Sequence, residues 1–405
     1  MAAAHGWGFR SRFRRDAFGW SGTRKAIERI REAVGEIERM AHVDPVLAGE
    51  GAVLLLEKLS PALRSIDSSS GALGNATAGV VETLVPLIVT APAPARLREK
   101  WLDRLFDALQ EDDPPYIESL GAHWGALCGT AELASQWADQ LLPSVRGVMA
   151  ARGQGSYAFT SASTPCYSAL LHARRLDELI GLLAQDRRPF WHDQQWAARA
   201  LAAQGNVDGA LGALEGLRGP HTPERALAAI AEELLLSAGR AEEAYARYAI
   251  RATSAQTNIA MYRALVKRYP SVAPDRVLAD LIASSPGEEG KWFATAKTLK
   301  QYALAQSLAW RAPVDPKTLL QAARDHVKGH PAFALEVALA ALHWLARGVG
   351  YEVTAGDVVD ARDYALSCAA ALGDEASVHA RIEEQLATSM PSSLWVRRCL
   401  GLDAS

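Results

Sequence analysis

The sequence predicts an all-α protein: a helical-repeat solenoid of stacked antiparallel helix pairs, tetratricopeptide-like in period and shape. Three observations predict it. Strand signals are nearly absent, since no run of alternating β-branched residues is bounded by Asn-Gly or Asp-Gly turns. Apolar residues recur three and four apart, as in Leu54, Leu55, Leu59 and Leu63 and again in Trp101, Leu102, Leu105 and Leu109. That spacing gathers them on one helix face, which must be buried against a neighbour. In the middle of the chain a helix pair recurs with a period of 34 residues.

Residues 1–22 read as a basic and aromatic arm, and residues 23–155 as an N-terminal helical bundle. Within the bundle Pro45 follows Asp44, which sets a capping oxygen before a proline at the first helical position. Pro165 after Thr164 and Pro223 after Thr222 read the same way. Leu47, Tyr167 and Arg225 stand where a capping box would have Glu or Gln. Ser65 to Thr77 breaks the period and reads as a loop, as does Ala151 to Thr164 with Gly153 and Gly155. The second loop sets a domain boundary near residue 155, so residues 156–405 form the repeats.

The clearest repeat is Trp196 to Leu217: an amphipathic helix, the turn Gln204-Gly205-Asn206, then Val207, Ala210, Leu211 and Leu214. Ala226 to Tyr248 repeats it through Ala238-Gly239-Arg240, and Gly205 and Gly239 are 34 apart (239 − 205). A looser copy upstream runs from Leu170 and Leu171 through Arg174-Arg175 to Leu176, Leu179 and Leu183. Gly205, Gly239 and Gly373 end helices, because glycine adopts the left-handed conformation without strain. Pro331 to Ala346 and Ala355 to Leu372 continue the helix–turn–helix pattern. Such pairs bury their apolar faces only by stacking, which creates a concave surface.

Composition limits the function. The chain is 49% hydrophobic and 22% charged, an ordinary globular balance. Its 43 basic and 46 acidic side chains leave a net charge of −3, too small for a field that demands nucleic acid or membrane. Cys128, Cys166, Cys368 and Cys399 make no CxxC and read as reduced thiols in a cytoplasmic protein. No secretory signal is read, because no long apolar run follows the early arginines. Val80 to Val89, interrupted by Glu82 and Pro86, is too short to cross a bilayer, so no transmembrane segment is expected.

The arm carries the most unusual chemistry. Trp7, Phe9, Phe13, Phe18 and Trp20 interleave with Arg10, Arg12, Arg14 and Arg15. Residues 1–31 hold eight basic side chains against Asp16 and Glu28. Arginine pairs with phosphates and aromatic rings stack on bases, so Trp7, Phe9, Arg10, Arg12, Phe13, Arg14 and Arg15 are the candidate nucleic-acid or partner-binding residues. The alternatives are contact with an acidic membrane surface, folding back onto an acidic patch of the chain's own body, and, most blandly, a flexible solvated tail.

Other constellations fail on chemistry. Ser285-Pro286-Gly287-Glu288-Glu289-Gly290-Lys291-Trp292 lacks the glycine spacing of a phosphate loop and would repel phosphate, so it reads as a turn into a helix. Asp325, His326 and His330 are interrupted by Gly329 and Pro331, which spoils metal sharing along one helix. Trp191-His192-Asp193 with Cys166 as a distant nucleophile lacks any local nucleophile signature. Asp67-Ser68-Ser69-Ser70-Gly71 has one carboxylate where a calcium loop has several. No catalytic residue, metal or cofactor is therefore assigned. The leading expectation is a non-enzymatic scaffold for a protein or peptide partner. Nucleic-acid association through the arm and an enzyme site assembled from distant helices are the alternatives.

Five phrases add a resemblance: Ile66-Asp67-Ser68-Ser69-Ser70-Gly71, Gly290-Lys291-Trp292-Phe293-Ala294-Thr295-Ala296-Lys297, Asp315-Pro316-Lys317-Thr318-Leu319, Pro331-Ala332-Phe333-Ala334 and Gly350-Tyr351-Glu352-Val353-Thr354. Together they resemble a family of bacterial all-helical proteins of unknown function, some members of which are fused to a SWIM-type zinc finger. The resemblance covers most of the chain from residue 23. It implies a helical-repeat fold and a bacterial source, and no reaction. The finger needs Cys-x-Cys followed by Cys-x-His, and this chain has neither, so no zinc or nucleic-acid role is carried over.

Overall fold

The computed structural model describes residues 5–69, 71–220, 222–387 and 390–402. Among the described residues every regular element is helical, and there is no strand. The chain divides into two compact units, Met1–Ala238 and Gly239–Ser405. The division falls well beyond residue 155. Across the boundary expected near residue 155 the chain is tied together by Arg152, buried near the end of a helix. Its Nη1 donates to Asp186 and to Asp193 at 2.9 Å each, and its Nε donates to the Ala158 carbonyl at 2.9 Å. This clasp binds the 154–162 loop into the first unit.

The first unit opens with α1 (Thr23–Ala41), α2 (Pro45–Leu63), α3 (Ala72–Thr90) and α4 (Ala95–Gln110). A 3-10 turn, Glu118–His123, runs into α5 (Trp124–Cys128), followed by α6 (Ala131–Gly153), α7 (Ser163–His172) and α8 (Leu176–Ala184). Then come α9 (Trp191–Ala203), α10 (Val207–Gly216) and α11 (Glu224–Ser237). The predicted stripes are core: Leu55, Leu59, Leu63, Trp101, Leu102, Leu105 and Leu109 are all buried. α3 is longer than the apolar run Val80 to Val89, because neither Glu82 nor Pro86 ends it. By length and composition it is the one helix among the described residues able to cross a membrane. Here its apolar face, including Val80, Val81, Leu84 and Ile88, is buried, and the helix packs against α1 and α2.

The second unit begins with α12 (Ala241–Ala244), a π-turn at Tyr245–Ala249 and α13 (Ile250–Ala252). α14 (Asn258–Arg268), α15 (Pro274–Ala283), a 3-10 turn at Glu289–Trp292, α16 (Phe293–Thr298) and α17 (Tyr302–Arg311) follow. α18 (Pro316–His326), α19 (Pro331–Ala346), α20 (Ala355–Leu372), α21 (Glu375–Leu386) and α22 (Pro391–Cys399) complete it. α19 is its centre, apolar almost all round and packed against α17, α18, α20, α21 and α22. The sequence bounds for α19 and α20 coincide with the structure.

Helix ends repeat one device. At Gly205 the N–H of Asn206 bonds back to Leu201 and that of Gly205 to Ala202, and φ at Gly205 is 89°. The same pair of bonds closes the turns at Arg174, Lys300, Gly348 and Gly373. Two of those positions hold a left-handed residue other than glycine: Arg174 at φ 59° and Lys300 at φ 60°. Helix starts were read less well. Asp44 caps α2 by accepting from Leu47 N–H at 2.9 Å, as predicted. α7 begins at Ser163, ahead of Pro165, and α11 begins at Glu224. Thr222 caps nothing there, because its hydroxyl donates to the Leu217 carbonyl.

Candidate functional site

The first unit has a groove of about 770 Å³ lined by α3, the 118–123 turn, α5, α7, α9 and α11. Its lining is periodic. Ser168, Arg199 and Glu233 each stand six residues before the left-handed residue of the turn that follows their helix (174 − 168, 205 − 199, 239 − 233). Thr164 and Gln195 each stand ten before it (174 − 164, 205 − 195). Corresponding positions of α7, α9 and α11 therefore build one wall.

The floor depends on a close approach. A Cβ on Gly125 would run into the Ser168 backbone and the His172 side chain, so only glycine lets α5 lie against α7 here. Ser168 then accepts from Gly125 N–H at 3.0 Å and donates to the Ala122 carbonyl at 2.8 Å. Charge is mixed. Arg199 meets both oxygens of Glu233 at 2.5 and 2.9 Å and lies 5.6 Å from the Trp196 ring centroid. His123 Nε2 is 3.5 Å from Glu82 Oε1. Arg174 donates to the Ala203 carbonyl at 2.9 Å.

The arm folds back onto acidic residues of the chain's own body, one of the alternatives the sequence left open. Residues 1–4 lie outside the described residues. Trp7, Phe9, Phe13 and Phe18 are buried and touch in series, with centroids 5.4, 6.4 and 5.8 Å apart. The Gly8 N–H donates to Glu36 at 2.8 Å, and Arg12 pairs with Glu32 at 2.6 Å. The arm is thus folded onto the first unit, not a free tail. Its rings at 7, 9 and 13 are core side chains and present no face to a base. Arg10, Arg14 and Arg15 are exposed.

Cys166 is fully buried, and burial pushes its thiol up to about 12, so it is no nucleophile near neutrality. Asp193 is held by Arg152, with His192 Nε2 3.8 Å away. His326 ends α18, and His330 precedes α19; both rings pack on Tyr302. Gly290 abuts Pro313 and Val314, while Trp292 is buried and donates to Ser285 Oγ at 3.2 Å. Asp67 accepts from the Ser69 N–H, and Ser70 lies outside the described residues. Among the described residues no group of three or more His, Cys, Asp or Glu is placed to hold a metal ion.

No family model, curated protein or solved structure matches the chain.

The groove residues were missed by sequence reasoning, although one signal was present. Arg199 and Glu233 are 34 apart (233 − 199), the same spacing as the two turn glycines, and their charges are opposite.

Proposed function

We propose that the protein is a non-enzymatic scaffold whose tetratricopeptide-like helix pairs hold an extended peptide of a partner protein along the groove lined by α7, α9 and α11. The observation that carries this reading is the periodic lining: corresponding positions of α7, α9 and α11, Ser168, Arg199 and Glu233, face one channel. Helical solenoids offer an extended concave surface to a ligand, and polar side chains along it select a peptide by the register of its polar groups. The hydrogen-bonding side chains of Thr164 and Gln195 lie alongside.

The test is affinity capture from native extract with wild-type protein and with Arg199→Glu, which sets two like charges against each other at the groove wall. A partner held by wild type and lost by the variant, with an unchanged circular dichroism spectrum, supports the reading. A partner held equally by both places its contact elsewhere and refutes it.

A further inference from the structure

α1 has three faces, because each residue turns a helix by about 100°. Ala26, Ile30, Ala33 and Ile37 are buried in the core. Glu32 and Glu36 meet the arm, through the Arg12 ion pair and the Gly8 N–H. Ile27, Arg31, Val34 and Glu38 make the third face, at steps of four, three and four. A stripe with those steps is the seam along which two helices pack side by side. It forms one wall of a groove of about 380 Å³ whose other wall is α3. Ile27 and Val34 are only half-buried in that groove, so apolar surface there stays in contact with water.

Charge says what covers it. Arg31 and Glu38 stand exposed on the lip, seven residues apart (38 − 31), and neither has an ion pair among the described residues. Their opposite signs lie at equal distances from a point between Val34 and Gly35. Such a pair is its own complement. A second α1 laid antiparallel, about a two-fold axis at that point, sets Arg31 against Glu38 of the partner subunit, and the same operation generates the reverse pair about 10 Å along the helix.

The floor supplies a separate observation. Gly79 of α3 lines the groove, and a Cβ added to it would touch nothing. The packing of its own chain therefore does not call for glycine there, although glycine weakens a helix interior. A bare backbone at this place admits the close approach of another helix. α3 also sets little charge in the way, since Glu82 is its one ionisable side chain.

We propose that this groove is the interface of a homodimer: a second copy of the chain seats its α1 between α1 and α3, with Arg31 of each protomer paired to Glu38 of the partner subunit. The interface shares no lining residue with the groove of α7, α9 and α11, so each proposal stands or fails without the other.

Sedimentation velocity of the full chain over a range of concentrations tests it. Wild type dimerises reversibly, and the dimer weakens as salt rises. Arg31→Glu and Glu38→Arg each weaken it by at least about tenfold, because each sets like charges together at both contacts. The double variant, Arg31→Glu with Glu38→Arg, returns to the affinity of wild type within a few-fold, since exchanging both signs rebuilds both pairs. Gly79→Gln, whose side chain enters the groove, weakens the dimer as strongly as either single charge reversal. Its circular dichroism melt is no lower than that of wild type, because the monomer has room for the new side chain. A wild type that stays monomeric at every concentration overturns the proposal and would assign the groove to a different protein. A dimer that the double variant fails to restore, or that Gly79→Gln leaves intact, overturns it too, because the contact then lies elsewhere.

Discussion

Gly51 decides where the arm lies. A Cβ at that position would run into the Trp7 ring, so the glycine in the middle of α2 is the socket in which the first ring of the arm sits. Gly49 does the same for Trp101. Glycine inside a helix costs about 1 kcal/mol against alanine. Two of them within three residues, Gly49 and Gly51, are therefore a sequence signal of close approach. That signal was legible; its partner was not, because Trp7 is 44 positions away (51 − 7) and no periodicity links them. The alternation of arginine and aromatic residues was visible, but alternation alone does not say which set faces inward. Gly51→Ala is expected to destabilise the first unit by about 1–3 kcal/mol through overpacking. It should also free the arm for tryptic cleavage at Arg12, Arg14 and Arg15. Urea unfolding and limited trypsinolysis of the variant check this; a stability and digestion rate equal to wild type would show that the ring is not seated there.

Helix ends were legible where glycine marks them and illegible where it does not. Gly205, Gly239 and Gly373 all have positive φ, as the sequence implied. The equivalent turn at Lys300 carries a side chain that makes the left-handed conformation costly, by roughly 1–2 kcal/mol. The turn forms regardless, because the 300 and 301 amides bond to Lys297 and Ala296 and the chain must reverse into α17. Lys300 is exposed, so its side chain offsets little of that strain. Lys300→Gly should stabilise the second unit by about 0.5–1 kcal/mol, after allowing for glycine's greater entropy in the unfolded chain. Chemical denaturation of the variant measures it, and a loss of stability would mean that the left-handed turn carries no strain. Proline was a poorer guide than glycine. α7 starts two residues before Pro165, since a proline at the third helical position still lacks only an N–H that has no helical partner.

The composition and the apolar stripes were enough to exclude β-structure over the whole chain, and they located most helices. They did not locate the division into units, because that depends on which charges meet in the interior. Asp193 stood out only in the Trp191-His192-Asp193 constellation, and nothing in the sequence marked Asp186; in the fold both are buried around Arg152. A buried carboxylate pair around one guanidinium is held together at a high desolvation cost, so removing the cation leaves two uncompensated charges. Arg152→Met should therefore cost about 3–5 kcal/mol. The loss should fall on one part of the molecule. Two compact units are expected to unfold as two calorimetric transitions, not one. Arg152→Met lowers the transition of the first unit and leaves the other in place. Gly290→Ala, whose Cβ would run into the Pro313 carbonyl, does the reverse. Differential scanning calorimetry of the three proteins decides it. If both substitutions shift one shared transition by the same route, the helices form a single cooperative body, and stability lost at the Arg152 clasp is felt across all of it.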